Sequence, residues 1–244
     1  MAATDHDTTA AVEDVRQLAL ARGIEAVPGI EITAMDDGRD VHVLGYFFDP
    51  AHQELQAFLT GQRRARRARL DAMAARLAAL GMPLDPASLV DVAGDATGRS
   101  VGRPVIARAL VRAGHVATTA EAFDRWLVPG RPAFVSRPGV PSETVIQIIH
   151  AAGGVASLAH PGKGGLATRI PALAAAGLDA VEAYHPDHGE ATTRMLVAQA
   201  VDLGLCVTGG SDFHGDPAHG RSPGSVVLPP AEFDRLRECR RHAR

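Results

Sequence analysis

Hydrophobic and polar positions follow two different periods in the first fifty residues of the chain. Apolar residues recur at helical spacing from Ala10 to Ala21, which predicts a helix that ends before Gly23. The next two segments, Ile24–Thr33 and Val41–Phe47, are rich in β-branched residues and predict strands. The turn residues Asp36-Asp37-Gly38 separate them, so the pair is expected to form a hairpin or neighbouring strands.

The pattern changes at about Asp49, and from there to Pro138 helical periodicity dominates. An all-helical block between strand-rich flanks indicates an insertion. We therefore predict a helical cap domain over residues 51–138 and a main domain built from residues 1–50 and 139–244. The helices predicted in the insertion are His52–Leu80, Val101–Ala113 and Thr119–Leu127.

Helices and strands alternate after the insertion. Such alternation is typical of parallel strands joined by crossover helices, so an α/β fold is expected. The predicted helices are Ser142–Ala152, Ile170–Ala176, Glu190–Leu203 and a C-terminal helix. The predicted strands are Gly154–Ala159, Asp179–Tyr184, Leu205–Thr208 and a short last strand, Ser225–Leu228.

Composition narrows the class of protein. With 244 residues, of which 46% are hydrophobic, the chain is long enough for one large α/β domain or a core domain with an insertion. Its formal net charge of −3 argues against a general nucleic-acid coat, although a local basic groove is compatible with it. No long apolar run is present and the first residues include acids, so we expect no membrane span and a cytoplasmic location.

The two cysteines predict no covalent link. Cys206 and Cys239 lie far apart in the sequence and match no metal-ligand spacing. Cys206 falls in an apolar run and is expected to be a small core residue. A disulfide is not expected on these grounds.

Several histidines and acids stand directly after apolar strands. His160 follows one predicted strand, His185 and His188 follow the next, and Asp212 and His214 follow a third. The carboxyl ends of parallel strands converge on one side of a barrel or sheet, so these side chains are expected to meet. Imidazoles and carboxylates at one place suit a divalent-metal hydrolase.

Taken singly, several of these residues have an ordinary structural explanation. Asp5-His6-Asp7 precedes a helix and serves equally well as an N-cap. Glu31 could face solvent from its strand, and His42 could fill space within one. The five arginines within residues 63–69 are most simply a solvated helix face. Several such residues at strand ends nevertheless favour a shared metal site.

The sequence resembles the PHP (polymerase and histidinol phosphatase) family, in the branch of nucleoside 3′,5′-bisphosphate phosphatases and 5′–3′ exoribonucleases. The matching segments keep the family's order and cover nearly the whole chain. They are Thr4-Asp5-His6-Asp7-Thr8, Pro28-Gly29-Ile30-Glu31-Ile32, Val41-His42-Val43-Leu44-Gly45-Tyr46-Phe47, Gly102-Arg103-Pro104, Leu158-Ala159-His160-Pro161-Gly162 and Gly210-Ser211-Asp212-Phe213-His214-Gly215.

The resemblance implies a distorted (β/α)₇ TIM-like barrel with up to three divalent ions at the carboxyl ends of its strands. Glu31 would bridge two ions, and His42 with His160 would complete one of them. Asp212 would help to hold the other, and His6 with His214 would hold the third. Mn²⁺ is the expected metal, with Zn²⁺, Fe²⁺ or Mg²⁺ as alternatives.

The resemblance also implies a substrate, which is a nucleotide or the end of a short oligoribonucleotide. Arg103 would clamp a phosphate with its planar fork of donors, and Lys163 is a weaker phosphate candidate. His214 or His188 would aid proton transfer, and the helical insertion would cover the substrate. A small phosphomonoester such as histidinol phosphate is the alternative within the same chemistry.

The sequence departs from the family at its start. Family members open with a strand ending in Asp-x-His-x-His, for which only four residues precede Asp5 here. The resemblance therefore predicts a barrel missing its first strand, fewer than three ions, and Met1 as an internal methionine of a longer protein. The ion of Glu31, His42 and His160 keeps every ligand assigned to it. The alternatives are an impaired remnant that binds only metal or nucleotide, and a nucleic-acid-binding module without chemistry.

Overall fold

The structure is a computed structural model that describes residues 1–90, 101–136, 139–214 and 221–242. Gly215, the last residue of one matching segment, lies outside these ranges. The chain divides into two units. We call Met1–His6, Ala11–Leu55 and Gly139–Arg244 the sheet unit, and Asp7–Ala10 with Gln56–Pro138 the helical unit.

The sheet unit contains a five-stranded sheet in which strand order follows chain order. Its first two junctions are antiparallel and its last two are parallel. The mixed α/β class predicted from the sequence is therefore confirmed. The strands are β1 Gly29–Asp36, β2 Arg39–Tyr46, β3 Val155–Leu158, β4 Ala180–Tyr184 and β5 Cys206–Gly209.

A tight turn joins β1 to β2. Asp37 and Gly38 both have positive φ, at 50° and 75°, which is the two-residue turn whose twist matches an antiparallel hairpin. The turn sets the register, so Thr33 lies opposite His42. Because side chains alternate along a strand, Glu31 and His42 then share one face of the sheet.

Helices separate the later strands, as the alternating pattern predicted. Their bounds agree with the sequence analysis within a few residues, except for α3, which was not predicted. The helices are α1 Val12–Leu20, α2 Gln53–Ala79, α3 Pro86–Val90, α4 Arg103–Arg112, α5 Thr119–Ala122 with a π turn over Phe123–Leu127, α6 Ser142–Ala151, a 3₁₀ turn Leu166–Arg169, α7 Ile170–Ala175, α8 Glu190–Asp202 and α9 Pro230–His242.

The two faces of the sheet differ in polarity. One face packs in the apolar core and carries, in cross-strand register, Ile32, Val43, Leu158, Val181 and Val207, each at most 3% exposed. The other face carries polar side chains at the alternate positions, and most of these are buried as well. They are Glu31, Thr33, His42, Ser157, Glu182 and Thr208. Buried polar groups need partners, so this face is where chemistry is expected.

The predicted last strand, Ser225–Leu228, is wrong. These residues lie in a turn and irregular backbone, and Val227 is 68% exposed. Proline residues stand close to the segment on both sides, at Pro223 and Pro229, and proline has no N–H to donate to a ladder. Leu228 packs against the apolar cluster of Phe47, but a segment of only four residues gains too little from pairing to form a strand.

The prediction that the cysteines stay unlinked is also wrong. The structure joins Cys206, the first residue of β5, to Cys239 in α9 as a disulfide. Helix α9 packs against β5, where Leu236 and Phe233 contact the apolar cluster of Phe47. This packing brings together two thiols that lie 33 residues apart, which sequence spacing does not reveal.

The helical unit has its own apolar core. Side chains from α2 and α4 form its centre, with Leu70, Met73, Leu77, Ile106 and Leu110 all nearly or fully buried. Helix α4 begins at Arg103 after the extended Gly102, with Pro104 in its first turn, where the missing N–H costs nothing.

The arginine run in α2 is more than the solvated face that the sequence favoured. Within the helical unit, Arg66 forms an ion pair with the fully buried carboxylate of Asp7, with Nε 2.5 Å from Oδ2. Arg63 donates to the Asp7 carbonyl and Arg69 to the Val135 carbonyl, at 3.2 and 2.7 Å. These arginines therefore hold the unit together.

Among the described helices, none combines the length and apolar character needed to cross a lipid bilayer.

A partly buried histidine–aspartate pair near the amino ends of β3 and β4 predicts pH-dependent stability. His150 Nε2 lies 2.7 Å from Asp179 Oδ2, and the same oxygen accepts the Ala156 N–H. The hydrogen bond to Asp179 raises the pKa of His150. The charged pair therefore stabilises the fold below the ordinary histidine pKa of about 6.5, and this contribution is lost as pH rises through the raised pKa.

We expect His150→Leu to lower the free energy of unfolding by about 1–3 kcal/mol near pH 5.5 and by less near pH 9, measured by urea denaturation. His150→Gln is the matched control, because it keeps an N–H donor without the charge and should show a smaller dependence on pH. An equal loss for His150→Leu at both pH values would contradict the role assigned to the charged pair.

Candidate metal centre

The candidate site lies where the parallel strands end. His160 follows β3, His185 follows β4 and Asp212 follows β5. His160 and Asp212 have positive φ, at 33° and 48°, a region that non-glycine residues rarely occupy. Strained backbone of this kind often accompanies functional sites, where surrounding contacts hold it in place.

Glu31 is the centre of the site. Its side chain is 7% exposed and its carboxylate faces three imidazoles. Oε1 lies 2.6 Å from His42 Nδ1 and 3.4 Å from His160 Nε2, and Oε2 lies 3.7 Å from His6 Nδ1. An isolated parallel β-bridge between His6 and Glu31 holds the backbone around His6 beside β1.

Electrostatics keeps Glu31 ionised despite its burial. Burial alone would raise the pKa of Glu31, but hydrogen bonds with His160 and His42 and the nearby charge of His42 and His6 hold it well below its usual range. Burial opposes the charged form of His160, yet the hydrogen bond with Glu31 raises the pKa of that imidazole. The cluster therefore pairs the ionised Glu31 with His160, whose charged form that carboxylate favours.

The donor set fits a divalent ion. Two ligands of one ion, each about 2.1 Å from it at 90–109°, lie about 3.0–3.4 Å apart. His42 Nδ1 and His160 Nε2 are 3.3 Å apart, and His160 Nε2 is 3.4 Å from Glu31 Oε1. His6, Glu31 and His42 also place one ligand atom each within 4.8 Å of the others. Mixed nitrogen and oxygen donors suit Zn, Mn or Fe.

His214 is half exposed and belongs to the same cluster. Its ring centroid lies 5.8 Å from that of His6. His214 Nδ1 lies 2.9 Å from the Asp212 carbonyl and can donate a proton to it, which leaves Nε2 as a lone-pair donor. Metal-binding histidines commonly have this arrangement, in which the other ring nitrogen donates to a carbonyl.

Asp212 joins this cluster to a second group of side chains. Its Oδ1 lies 3.5 Å from His214 Nδ1, while Oδ2 lies 3.3 Å from His185 Nε2 and is paired with Arg221. Burial would raise the pKa of Asp212, but the hydrogen bond with His185 and the nearby His214 lower it. The carboxylate is therefore ionised at neutral pH.

The remaining predicted residues lie in different surroundings. Both ring nitrogens of His188 are engaged with backbone, Nδ1 with the Ala183 carbonyl at 3.0 Å and Nε2 with the Gly162 N–H at 3.2 Å. This arrangement favours a structural role over the predicted proton transfer. Lys163 Nζ lies 2.5 Å from Asp187 Oδ2, and Arg103 lies in the helical unit.

Two groups at the site were not assigned a role from the sequence. Glu182 is buried and accepts the His160 N–H at 2.7 Å, and burial raises the pKa of Glu182 to about 8. Its position in an otherwise apolar strand was the available signal. Arg221 contacts Asp212 and Asp187, but no strand or helix pattern surrounds it in the sequence, so no local signal indicated its role.

A buried carboxylate among imidazoles, at the carboxyl ends of parallel strands, defines a metal-dependent hydrolase site. Comparison with known proteins leads to the family. No protein-family model matches the chain. It is 33% identical over 219 residues to a 5′–3′ exoribonuclease of Haemophilus influenzae, covering 88% of this chain and 78% of that protein.

It is also 32% identical over 244 residues to a 3′,5′-nucleoside bisphosphate phosphatase of Chromobacterium violaceum, covering 94% and 82%. A crystal structure of a candidate metal-dependent phosphoesterase from Bifidobacterium adolescentis superposes with a TM-score of 0.86 at 29% identity, covering 98% and 85%. The chain belongs to the PHP family of metal-dependent phosphoesterases, which are hydrolases, in the branch with the exoribonucleases and nucleoside bisphosphate phosphatases.

Glu31→Gln tests whether the carboxylate binds metal. An amide lacks the charge that a cation requires, so we expect Mn²⁺ affinity in isothermal titration to fall by about 100-fold or more, at or beyond the upper end of typical losses from changes around metal ligands. Glu25→Gln is the matched control, because Glu25 is exposed and pairs with Arg237. Equal affinity of Glu31→Gln and the unchanged protein would contradict this assignment.

Metal binding should also release protons. Since the contact with Glu31 raises the pKa of His160, a metal ion that takes this imidazole must displace a proton near neutral pH. We expect weaker binding as pH falls from about 8 to about 6, and a binding enthalpy that varies with the ionisation enthalpy of the buffer. A binding enthalpy independent of the buffer would show that no proton leaves.

Proposed function

We propose that this chain hydrolyses a phosphate ester of a nucleotide, either a nucleoside 3′,5′-bisphosphate or the 5′ end of a short RNA. The single observation that carries this proposal is the buried Glu31 carboxylate surrounded by His6, His42 and His160. The substrate class is supported by the names of two relatives, an exoribonuclease and a nucleoside bisphosphate phosphatase.

The proposed metal ligands divide into three sets. Glu31, His42 and His160 would hold one ion, and Glu31 would bridge it to a second ion that Asp212 helps to hold. His6 and His214 would hold a third. We propose Mn²⁺, because it accepts both imidazole and carboxylate ligands, with Zn²⁺, Fe²⁺ or Mg²⁺ as alternatives. Such ions would polarise a phosphoryl oxygen and would lower the pKa of water, so that a hydroxide nucleophile is available near neutral pH.

The chain's own residues have separate tasks in this proposal. Glu31 stays ionised and places negative charge where the cations bind. His214, which is half exposed, is proposed to exchange a proton with the leaving group as the alternative to its role as a ligand of the third ion, because one imidazole cannot do both at once. Lys163 is proposed as a phosphate contact, since its side chain is 46% exposed; its ammonium would exchange the ion pair with Asp187 for a phosphate oxygen.

The proposal also covers the barrel architecture, the cellular location and the role of the helical unit. We propose that the five-stranded sheet is part of the distorted (β/α)₇ barrel that the family resemblance implies. We propose a cytoplasmic location, where nucleotides and RNA ends are available. The helical unit is proposed to be the insertion that covers the substrate in this branch, as the family resemblance implies.

The substrate class can be tested directly. Protein loaded with Mn²⁺ is expected to release phosphate from adenosine 3′,5′-bisphosphate, or nucleotides from a 5′-phosphorylated oligoribonucleotide, and not from histidinol phosphate. Glu31→Gln should abolish this release and Glu25→Gln should retain it. Turnover of histidinol phosphate without turnover of either nucleotide substrate would overturn the proposed substrate class.

Arg103 provides a second test of the substrate. If its guanidinium binds a phosphate, Arg103→Met is expected to raise KM for the bisphosphate about tenfold or more, as a lost charge-assisted hydrogen bond predicts. Arg108→Met is the matched control, because Arg108 is exposed on the same helix. Equal KM values for the two variants would remove Arg103 from the proposed phosphate contacts.

A further inference from the structure

The carboxylate of Asp212 has two oxygens in different surroundings, and this asymmetry has a function. We propose that His185 and Arg221 hold Oδ2 of Asp212, so that the carboxylate presents Oδ1, beside His214, to a metal ion. His185 and Arg221 are then positioning residues. The inference rests on the proposed function, because it requires Asp212 to be a metal ligand.

The first step of the argument is the tautomer of His185. The side chain is fully buried, and its Nδ1 accepts the backbone N–H of Asp187 at 3.1 Å. A ring nitrogen that accepts a hydrogen bond carries no proton, so in the neutral ring the proton lies on Nε2. Nε2 is buried and does not meet full hydrogen-bond geometry, and Asp212 Oδ2 lies 3.3 Å from it, close enough for a small rotation of either side chain to complete the contact.

The same tautomer argues against His185 as a metal ligand. A neutral imidazole can give a lone pair to a metal only through its unprotonated nitrogen, and in His185 the backbone of Asp187 already occupies that nitrogen. The ring lies close to the cluster, with its centroid 5.7 Å from that of His160. Its position is therefore that of a residue that supports a ligand.

Arg221 supplies the second donor. Its Nη1 contacts Asp212 Oδ2, and its Nη2 lies 2.7 Å from Asp187 Oδ2. Lys163 Nζ lies 2.5 Å from the same Asp187 oxygen. This second ion pair holds the Asp187 carboxylate in position beside Arg221. The guanidinium is thus tied to two acids, and its planar fork sets the direction of both contacts.

The other oxygen of the Asp212 carboxylate, Oδ1, lies on the side of the histidine cluster around Glu31. Asp212 Oδ1 lies 3.5 Å from His214 Nδ1, and the His214 ring neighbours that of His6. Because Arg221 and His185 both lie beside Oδ2 while Oδ1 faces the histidine cluster, single-oxygen coordination through Oδ1 is favoured. These two residues also account for the left-handed backbone of Asp212, at φ 48°, since its side chain is held from outside the cluster.

Residues that hold a ligating carboxylate affect metal affinity without contributing a metal bond. Changing such a partner commonly costs about 10–100-fold in metal affinity. We expect His185→Met to weaken Mn²⁺ binding by this factor while the number of ions per chain is unchanged. His185→Gln keeps an N–H donor and is expected to recover part of the affinity.

The experiment combines isothermal titration with Mn²⁺ and metal analysis of the loaded protein. His150→Gln is the matched control, because His150 also contacts a carboxylate but lies at the amino ends of the strands, and its metal affinity should be unchanged. Because His185 is buried and its variants could fold poorly, Arg221→Gln tests the second donor from a more accessible position. It should also lower affinity without loss of an ion.

Nitrogen NMR of the metal-free protein supplies a readout that a merely structural role would not predict, namely the Nε2–H tautomer of His185. Loss of a whole ion in His185→Met would show that His185 is a ligand and overturn the inference, as would an Nδ1–H tautomer. Unchanged affinity in both His185→Met and Arg221→Gln would overturn it while leaving the proposed function intact. No metal binding by the unchanged protein would overturn both.

Discussion

The site depends on one interaction, the buried carboxylate of Glu31 among the imidazoles of His6, His42 and His160. An ionised group removed from water costs several kcal/mol unless opposite charge compensates it. Contacts with the surrounding imidazoles provide this compensation, and they hold the pKa of Glu31 well below its usual range. Divalent ions can take the place of these contacts with the same ligand atoms. Two of the three donor pairs, His42 with His160 and His160 with Glu31, already lie at the separations that one ion would require, and His42 Nδ1 and Glu31 Oε1, now 2.6 Å apart, would move slightly apart.

The sheet makes this arrangement possible through the alternation of side chains along its strands. Apolar residues on one face, such as Ile32 and Val181, form the core, which leaves the other face for polar side chains. Glu31 and His42 meet there because the two-residue turn at Asp37-Gly38 fixes the register of β1 and β2. Beneath them the polar face continues through Glu182, whose carboxylate accepts the His160 N–H. The same packing that stabilises the fold therefore aligns the site.

Sequence reasoning predicted the features that depend on local pattern. Strands and helices show a hydrophobic period within a few residues, so this period identifies them. The histidines of the site are then recognised because they directly follow the predicted strands. Periodicity did not identify groups whose role comes from tertiary contact. The Cys206–Cys239 link, the contact of Arg221 with Asp212, and the backbone partners of both His188 nitrogens depend on packing between distant segments. The error at Ser225–Leu228 has a different origin, because this short segment places Leu228 against the core from irregular backbone and forms no strand.

The central claim is that Glu31 is a metal ligand, shared with the imidazoles around it. The most direct test is anomalous X-ray scattering from crystals of the protein grown with Mn²⁺. The account predicts a manganese peak about 2.0–2.2 Å from a Glu31 oxygen and from nitrogens of His42 and His160. Manganese found only elsewhere, with the Glu31 carboxylate still paired directly to the imidazoles, would contradict the account.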